Sequence, residues 1–589
     1  MKNMNTRQMV YSIALVLCSL YATTLLAAPP DPAVAAPPVP VWLQFTGRLH
    51  PSSRDIFNAF QSSAGPSKTP ATPTRFIDGP PAIYPNEFRS VDGRNNATKD
   101  LGQAGTVHLR NTTVGYGDGS GTPGGADRLG ARQISNLVCA QSTLIPSTDP
   151  ISNFVWNWGN IVDHDMTLLK VASPPEVFDV PVPTGDPQFD PRGLGGRVLH
   201  FQRSNSTVVN GVRQQINANS AFIDASMVYG SDLFRSKALR TFDGTGHLLT
   251  SANNLLPFNV NALPNQPERT LTPANFFLAG DVRANENAAL LVMQTLLMRE
   301  HNFWADSIKS GDPTLDDDGI YQRARAIVCA EIQLITYRDF IPILLGPNGL
   351  TPYIGYNEAV DPRVSIAFST AGFRLGHTIL PPNLQLLNKR NVVIGDDVLG
   401  QTIFQPNLVS SSGLEPWLRG LARQIPQQLD GYVIDAVRSF LVGGVGPAGF
   451  DLVADDIQRG RDQGLPGYNQ VRIDFGLAPK ASFAEMTSDM VLQDRLASAY
   501  TSPDNVDLMV GATVEDHVSG GQVGETFAAI LKDQFQRSRD GDRFWYESYL
   551  DATTLATVRA QTLSIIIKRN CPTIGAEMQD DVFHVPAAH

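Results

Sequence analysis

A mainly α-helical fold with many ordered loops and little β structure is predicted by three observations. The stretch Phe154–Leu169, FVWNWGNIVDHDMTLL, places apolar residues at Phe154, Trp158, Ile161, Val162, Met166 and Leu169, a helical recurrence. The same period runs through Leu290, Leu291, Met293, Leu297 and Met298 after Asn287, and through Tyr321–Pro342, YQRARAIVCAEIQLITYRDFIP. Glycine and proline (49 and 42) supply 91 of the 589 residues, which loads the connections with turn formers. A length of 589 residues would ordinarily suggest several domains.

The chain opens as a targeting signal, residues 1–27: Lys2 and Arg7 are the charged start, Met9–Ala22 the apolar core, and small residues follow near Ala27. Export is therefore expected. Residues 28–40, APPDPAVAAPPVP, form a proline-rich spacer with extended character. A loosely patterned N-terminal arm continues to about residue 74. No later segment has eighteen consecutive apolar residues, so no stable membrane insertion is expected. Formal charge is −11, or −13 without Lys2 and Arg7 (44 basic, 57 acidic), which argues against nucleic acid and anionic membrane as partners. Beyond the signal only Cys139, Cys329 and Cys571 remain, too few for a disulfide framework and enough for one bridge at most. Gly115–Gly130 has neither a preceding strand nor a GxGxxG pattern, so it reads as a loop and not a phosphate cradle.

Chemistry concentrates in five places. Inside the first helix Asn160, Asp163, His164 and Asp165 interrupt the apolar run, and buried ionisable groups need a partner, a metal or a cofactor. Asn160 and His164, four apart, share a helix face. In NANSAFIDASMVYGS, residues Ser220, Phe222, Asp224 and Ser226 alternate, so an extended loop would aim their oxygens to one side, as hard donors for a calcium ion. Arg283 and Glu286 stand at the start of the helix after Asn287, and His301, in its polar REHN end, reads as exposed. The upstream LDDDG at 315–319 reads as a solvated turn. His377 sits in AFSTAGFRLGHTILPP, and DLVADDIQRGRDQGLPGYN spans residues 451–469.

The WGNIVDHD stretch resembles the distal-histidine helix of the animal-type haem peroxidase family, which includes myeloperoxidase, lactoperoxidase and peroxidasin. The resemblance covers most of the chain, from about Arg75 to Asn570, with its motifs in the family's order. It implies one large domain over residues 41–589, holding haem b between the distal helix and His377. In that frame His164 moves a proton between the two peroxide oxygens and Arg283 is the fixed cation beside it. Asp163 and Glu286 match the carboxylates that become ester-linked to haem, while Asn287 stands where myeloperoxidase has a methionine, so at most two links are expected. His377 matches the iron ligand, Arg374 an arginine that pairs with a haem propionate, and Asp456 the partner of the proximal imidazole, an asparagine in mammalian members. One calcium site is implied at Asp165, Ser220, Phe222 through its carbonyl, Asp224 and Ser226.

The implied reaction reduces hydrogen peroxide with electrons from a small donor, either a phenol or a halide. Asn160 replaces the glutamine of halide-oxidising members, and its shorter amide leaves space for a water or a larger donor. Two alternatives remain. A fatty-acid dioxygenase of the same superfamily needs a tyrosine three residues before the proximal histidine, where this chain has Arg374. An adhesive protein that merely retains the fold would not need the His164, Arg283 and His377 set, and the chain contains no RGD tripeptide.

Overall fold

The computed structural model describes residues 88–96, 101–266, 275–441 and 450–587. The predicted signal, spacer and N-terminal arm lie outside the described residues.

Helix α1, Phe154–Met166, is the centre of the core. Ser152 Oγ, two residues ahead of the helix, accepts the Phe154 amide at 3.2 Å. Trp158 and Phe154 are fully buried, and Trp158 donates its indole N–H to Thr336 Oγ1 at 3.1 Å. Burial of a side chain of this size is worth about 1.5–3 kcal/mol, so the apolar stripe alone fixes the helix in the interior. Around it pack α2, Ser226–Tyr229, α3, Ala288–Gly311, and a 3₁₀ turn at Gly372–His377.

Helix α3 begins where its sequence pattern does, because Asn287 accepts the Leu290 amide at 2.8 Å as N-cap. It runs nine residues past the REHN segment, since Trp304 and Ala305 keep the apolar face going. His301 is therefore not exposed. It is fully buried, with Nε2 facing the Gly246 carbonyl and Nδ1 the Tyr229 hydroxyl, both at 2.9 Å.

Helix α4, Asp317–Ile335, starts four residues earlier than its apolar pattern. The LDDDG segment is a helix start and not a solvated turn: Asp316 caps it on Gly319 N–H, and Asp317 and Asp318 each bind Arg240 at 2.7 Å. A π-helical turn, Thr336–Phe340, and the short helix α5, Ile341–Leu345, finish the segment. Later elements that frame the site are α6, Leu452–Asp462, and α7, Glu525–Asp540.

Among the described residues strands are few and short. Each of the four sheets found there has two strands, the longest being Asn383–Leu387 against Val393–Val398. The mainly α expectation holds. Cys139, Cys329 and Cys571 are all free thiols, so no bridge forms among them. Asn96, which opens an Asn-Ala-Thr glycosylation sequon, is buried with its amide donating to the Gly541 carbonyl at 2.8 Å, so it is not free to carry a glycan.

Candidate active site

One large cavity, with about 1520 Å³ of empty space including its mouth, is lined by residues from α1, the 280–287 turn and the 372–377 turn. His164, Asp163 and Asn160 enter it from α1, Arg283 and Glu286 from the turn before α3, and Arg374, Gly376 and His377 from the 3₁₀ turn. Three of the sequence motifs, spread over more than two hundred residues from Asn160 to His377, thus meet in one space.

On the α1 side Asn160 Nδ2 donates to His164 Nε2 at 3.2 Å, and Glu286 Oε2 lies 3.7 Å from the same nitrogen. His164 Nδ1 has no hydrogen-bond partner and faces Asp281 Oδ1 at 3.8 Å. Burial, and next the Arg283 cation, pull the imidazole down to about 3, so it is neutral across the physiological range. A neutral imidazole is what a proton acceptor must be.

Arg283 is held by a residue that the sequence reading passed over. Asp281 takes its guanidinium in a two-pronged pair, Nε to Oδ1 and Nη2 to Oδ2, both at 2.8 Å, and Thr167 O accepts from Nη2 at 2.7 Å. Burial opposes ionisation of Asp281, but Arg283 overrides it and holds the carboxyl at about 2. Removing one partner of such a buried pair leaves an uncompensated charge and costs about 3–5 kcal/mol. The only signal was local: an aspartate two residues before the arginine. This turn lies on the backbone of α2. A Cβ on Gly280 would sit 2.2 Å from the Ser226 carbonyl, so only glycine permits the approach.

Asp163 and Glu286 differ in charge state. Burial works against Asp163, yet Arg374 (Nη1 to Oδ2, 3.0 Å) and Arg283 (3.9 Å) keep it below the usual carboxylate range. Burial pushes Glu286 up to about 7 in spite of Arg283. Arg374, matched in sequence to a propionate partner, spends one amino group on Asp163 and its Nε on the Ser369 carbonyl at 2.9 Å.

On the other side His377 Nδ1 and Asp456 Oδ2 are 2.6 Å apart, which turns the other ring nitrogen away from α6. Asp456 is buried, and its second oxygen accepts from Arg459 Nη1 at 3.0 Å. Arg459 also binds Asp455, whose carboxyl burial raises to about 6. Asp455 thus bonds the arginine and not the histidine. A Cβ on Gly376 would meet nothing within 4 Å, so the chain here leaves a bare face toward the cavity, as a flat ring needs.

The 217–226 loop departs from its sequence pattern. It is not extended throughout, because Ala225 takes a left-handed conformation (φ 61°) and turns the chain into α2 at Ser226. The oxygens still converge. Asp165 accepts from the amides of Ala225 (3.0 Å) and Ser226 (2.5 Å), and Ser226 Oγ donates to the Asp165 carbonyl at 2.6 Å. Ser220 Oγ donates to Asp224 Oδ2 at 2.7 Å. Both carboxylates are fully buried, and burial with the neighbouring Asp224 charge lifts Asp165 to about 8. Arg89, 4.0 Å from Asp224, is the nearest paired cation. Among the described residues no group of three or more His, Cys, Asp or Glu side chains is placed to hold a metal; this set has two carboxylates with hydroxyl and carbonyl oxygens.

Comparison with known proteins finds relatives that cover most of the chain. The chain is 33% identical to peroxinectin A of Dictyostelium discoideum over 515 residues, which cover 84% of this chain and 96% of that one. The solved structure of peroxidase A from the same organism superposes with a TM-score of 0.80 at 32% identity, over 84% of this chain and 99% of that one. A fatty acid α-dioxygenase of Oryza sativa matches at TM-score 0.72 and 21% identity, over 85% of this chain and 87% of that one, a likeness of fold alone. The family model of animal haem peroxidase matches residues 88–583, and this chain belongs to that family.

Proposed function

We propose that this haem peroxidase passes electrons from phenol-like donors to hydrogen peroxide, with His164 carrying the proton and Arg283 stabilising the charge on the leaving oxygen. The observation that carries this reading is the placement of His164 and the Asp281-anchored Arg283 in the same cavity as the Asp456-bound His377. Haem, when bound through His377, supplies an iron that binds peroxide and takes up two oxidising equivalents. His164 accepts a proton from one peroxide oxygen and delivers it to the other, work commonly worth about 10² to 10⁴-fold. Asp281 keeps Arg283 from swinging away, so the cation costs no reorganisation when charge develops. Asn160 holds the imidazole and leaves room beside it, which favours a phenol over a halide. Arg374, bonded to Asp163 and Ser369, supplies no phenolic oxygen where a dioxygenase needs one. Purified protein is expected to show a Soret band and to oxidise guaiacol only with peroxide. A Soret band without donor oxidation would point to the adhesive alternative, and fatty-acid oxygenation to the dioxygenase.

We propose further that Asp163 and Glu286, which line the cavity from different elements, tie haem covalently by two esters. After peroxide treatment, acid–acetone is expected to leave haem on the wild type and to strip it from the double variant Asp163→Val, Glu286→Gln. Complete extraction from the treated wild type would refute the links.

Asp165, Ser220, Phe222, Asp224 and Ser226 suit a structural calcium ion: hard oxygens, two carboxylates, and burial that makes an added cation favourable. Asp165 adjoins His164, and Asn219 donates to the His164 carbonyl at 2.8 Å. Chelation is therefore expected to lower thermal stability and weaken the Soret band together. Fully active enzyme with no calcium by metal analysis would rule the ion out. Export remains the expectation for residues 1–27.

A further inference from the structure

A second cavity, with about 690 Å³ of empty space, lies between α5, the segment after it, and the residues following α7. Its walls include Tyr337, Pro342, Leu350, Tyr353, Arg539 and Trp545. Two features set it apart from a packing gap. The first is a file of aromatic rings between it and the haem cavity. Phe373 lines the haem cavity, one residue from Arg374, and its ring lies 5.6 Å from that of Phe535. Phe535 is 5.8 Å from Tyr337, and Tyr337 is 4.7 Å from Trp545, centroid to centroid. Tyr337 also donates its hydroxyl to the Phe535 carbonyl at 2.7 Å. The second feature is Arg539. It is 5% exposed, with Nε on Asp540 and Nη1 on the Thr351 carbonyl (each 2.7 Å), while Nη2 has no hydrogen-bond partner. The guanidinium thus stands as a cation in the wall of an aromatic pocket, where it suits an electron-rich ring.

We propose that this pocket is a second donor site, where a phenolic aromatic too bulky or too firmly tethered for the haem cavity gives up its electron through Trp545. Trp545 is the group best fitted to lose an electron. Its indole N–H donates to Glu547 Oε2 at 3.2 Å, and that carboxylate stabilises a positive ring. Tyr353 is disfavoured by the Arg539 guanidinium, 5.5 Å from its ring centroid. Phe535 and Phe373 serve as bridges, being much harder to oxidise than Tyr337 or Trp545. Trp545 passes one electron through Tyr337 and the two phenylalanines to the peroxide-oxidised haem, then regains one from the phenol. The phenol leaves as a phenoxyl radical, and its proton goes to solvent water. Two such turns supply the two electrons that, with two protons, convert one hydrogen peroxide to two waters.

The test uses holoenzyme, a phenol coupled by a short linker to dextran, and free guaiacol as the small donor. Trp545→Phe is expected to lower kcat/KM for the dextran-bound phenol by at least about tenfold and to leave the guaiacol value within about twofold. Leu350→Phe, which narrows the pocket with a ring that is not readily oxidised and keeps Trp545, is expected to do the same. Freeze-quench EPR after peroxide without donor should show an indole-centred radical in wild type and in Leu350→Phe, absent from Trp545→Phe. If Trp545→Phe loses its Soret band, Leu350→Phe decides alone. Unchanged oxidation of the dextran-bound phenol in a variant with intact Soret band and guaiacol activity overturns the proposal, as does a wild type that oxidises only guaiacol.

Discussion

Replacing His164 with alanine should leave haem bound and slow the reaction with hydrogen peroxide by about 10² to 10⁴-fold. Haem retention is expected because His377 with Asp456, Arg374 and the apolar wall lie on other elements of the cavity. The rate loss follows from chemistry that no neighbour can take over. Asn160 is an amide, Arg283 is tied up with Asp281 and Thr167, and Glu286 is the carboxyl proposed to be ester-linked to haem. Stopped-flow mixing with peroxide reads the effect directly in the haem spectrum. A wild-type rate in the variant would remove His164 from the chemistry.

Asp456→Asn should raise the ferric/ferrous midpoint potential and alter turnover by about 10 to 100-fold, the usual cost of losing a partner of a metal-bound imidazole. The 2.6 Å contact is that of a charge-assisted bond, which draws the imidazole proton toward the carboxylate and makes His377 a stronger electron donor. Arg459 moderates this by holding the other oxygen at 3.0 Å. Asparagine keeps the geometry and loses the charge. Asp455→Asn is the matched control, since Asp455 binds Arg459 and not the histidine. Spectroelectrochemical titration of both variants separates them: an unmoved potential in Asp456→Asn would falsify the assignment of Asp456.

Much of this site was readable from local pattern. The apolar period fixed α1 and so the shared face of Asn160 and His164, and Asn287 announced its own helix by being a good cap. Motif order then paired His377 with Asp456 across 79 residues, the contact the fold makes. What stayed hidden depends on partners distant in sequence. His301 looked like a helix-end residue because nothing in REHN announces that Tyr229 and Gly246 close over it. LDDDG looked solvated because Arg240, about 77 residues away, supplies the opposite charge. Asp281 drew no attention because a carboxylate that positions a cation looks, in sequence, like any other. The aromatic file through Phe373, Tyr337, Phe535 and Trp545 draws on three separate segments, so no periodicity could reveal it.

The three unbridged cysteines bear on how long the enzyme can survive its own oxidant. Peroxide attacks sulfur as thiolate, climbing from sulfenic to irreversible acids. Burial pushes Cys139 and Cys571 up to about 12 and Cys329 higher still, so almost no thiolate exists at neutral pH. Cys329 also gives its S–H to the Asp224 carbonyl at 2.8 Å, which ties its sulfur to the loop around Asp165. Native packing is thus the antioxidant shield for these sulfurs. It lasts only as long as the fold does: each local opening exposes a thiol of ordinary acidity to the substrate, and inactivation by turnover is timed by unfolding, not by the intrinsic reactivity of sulfur.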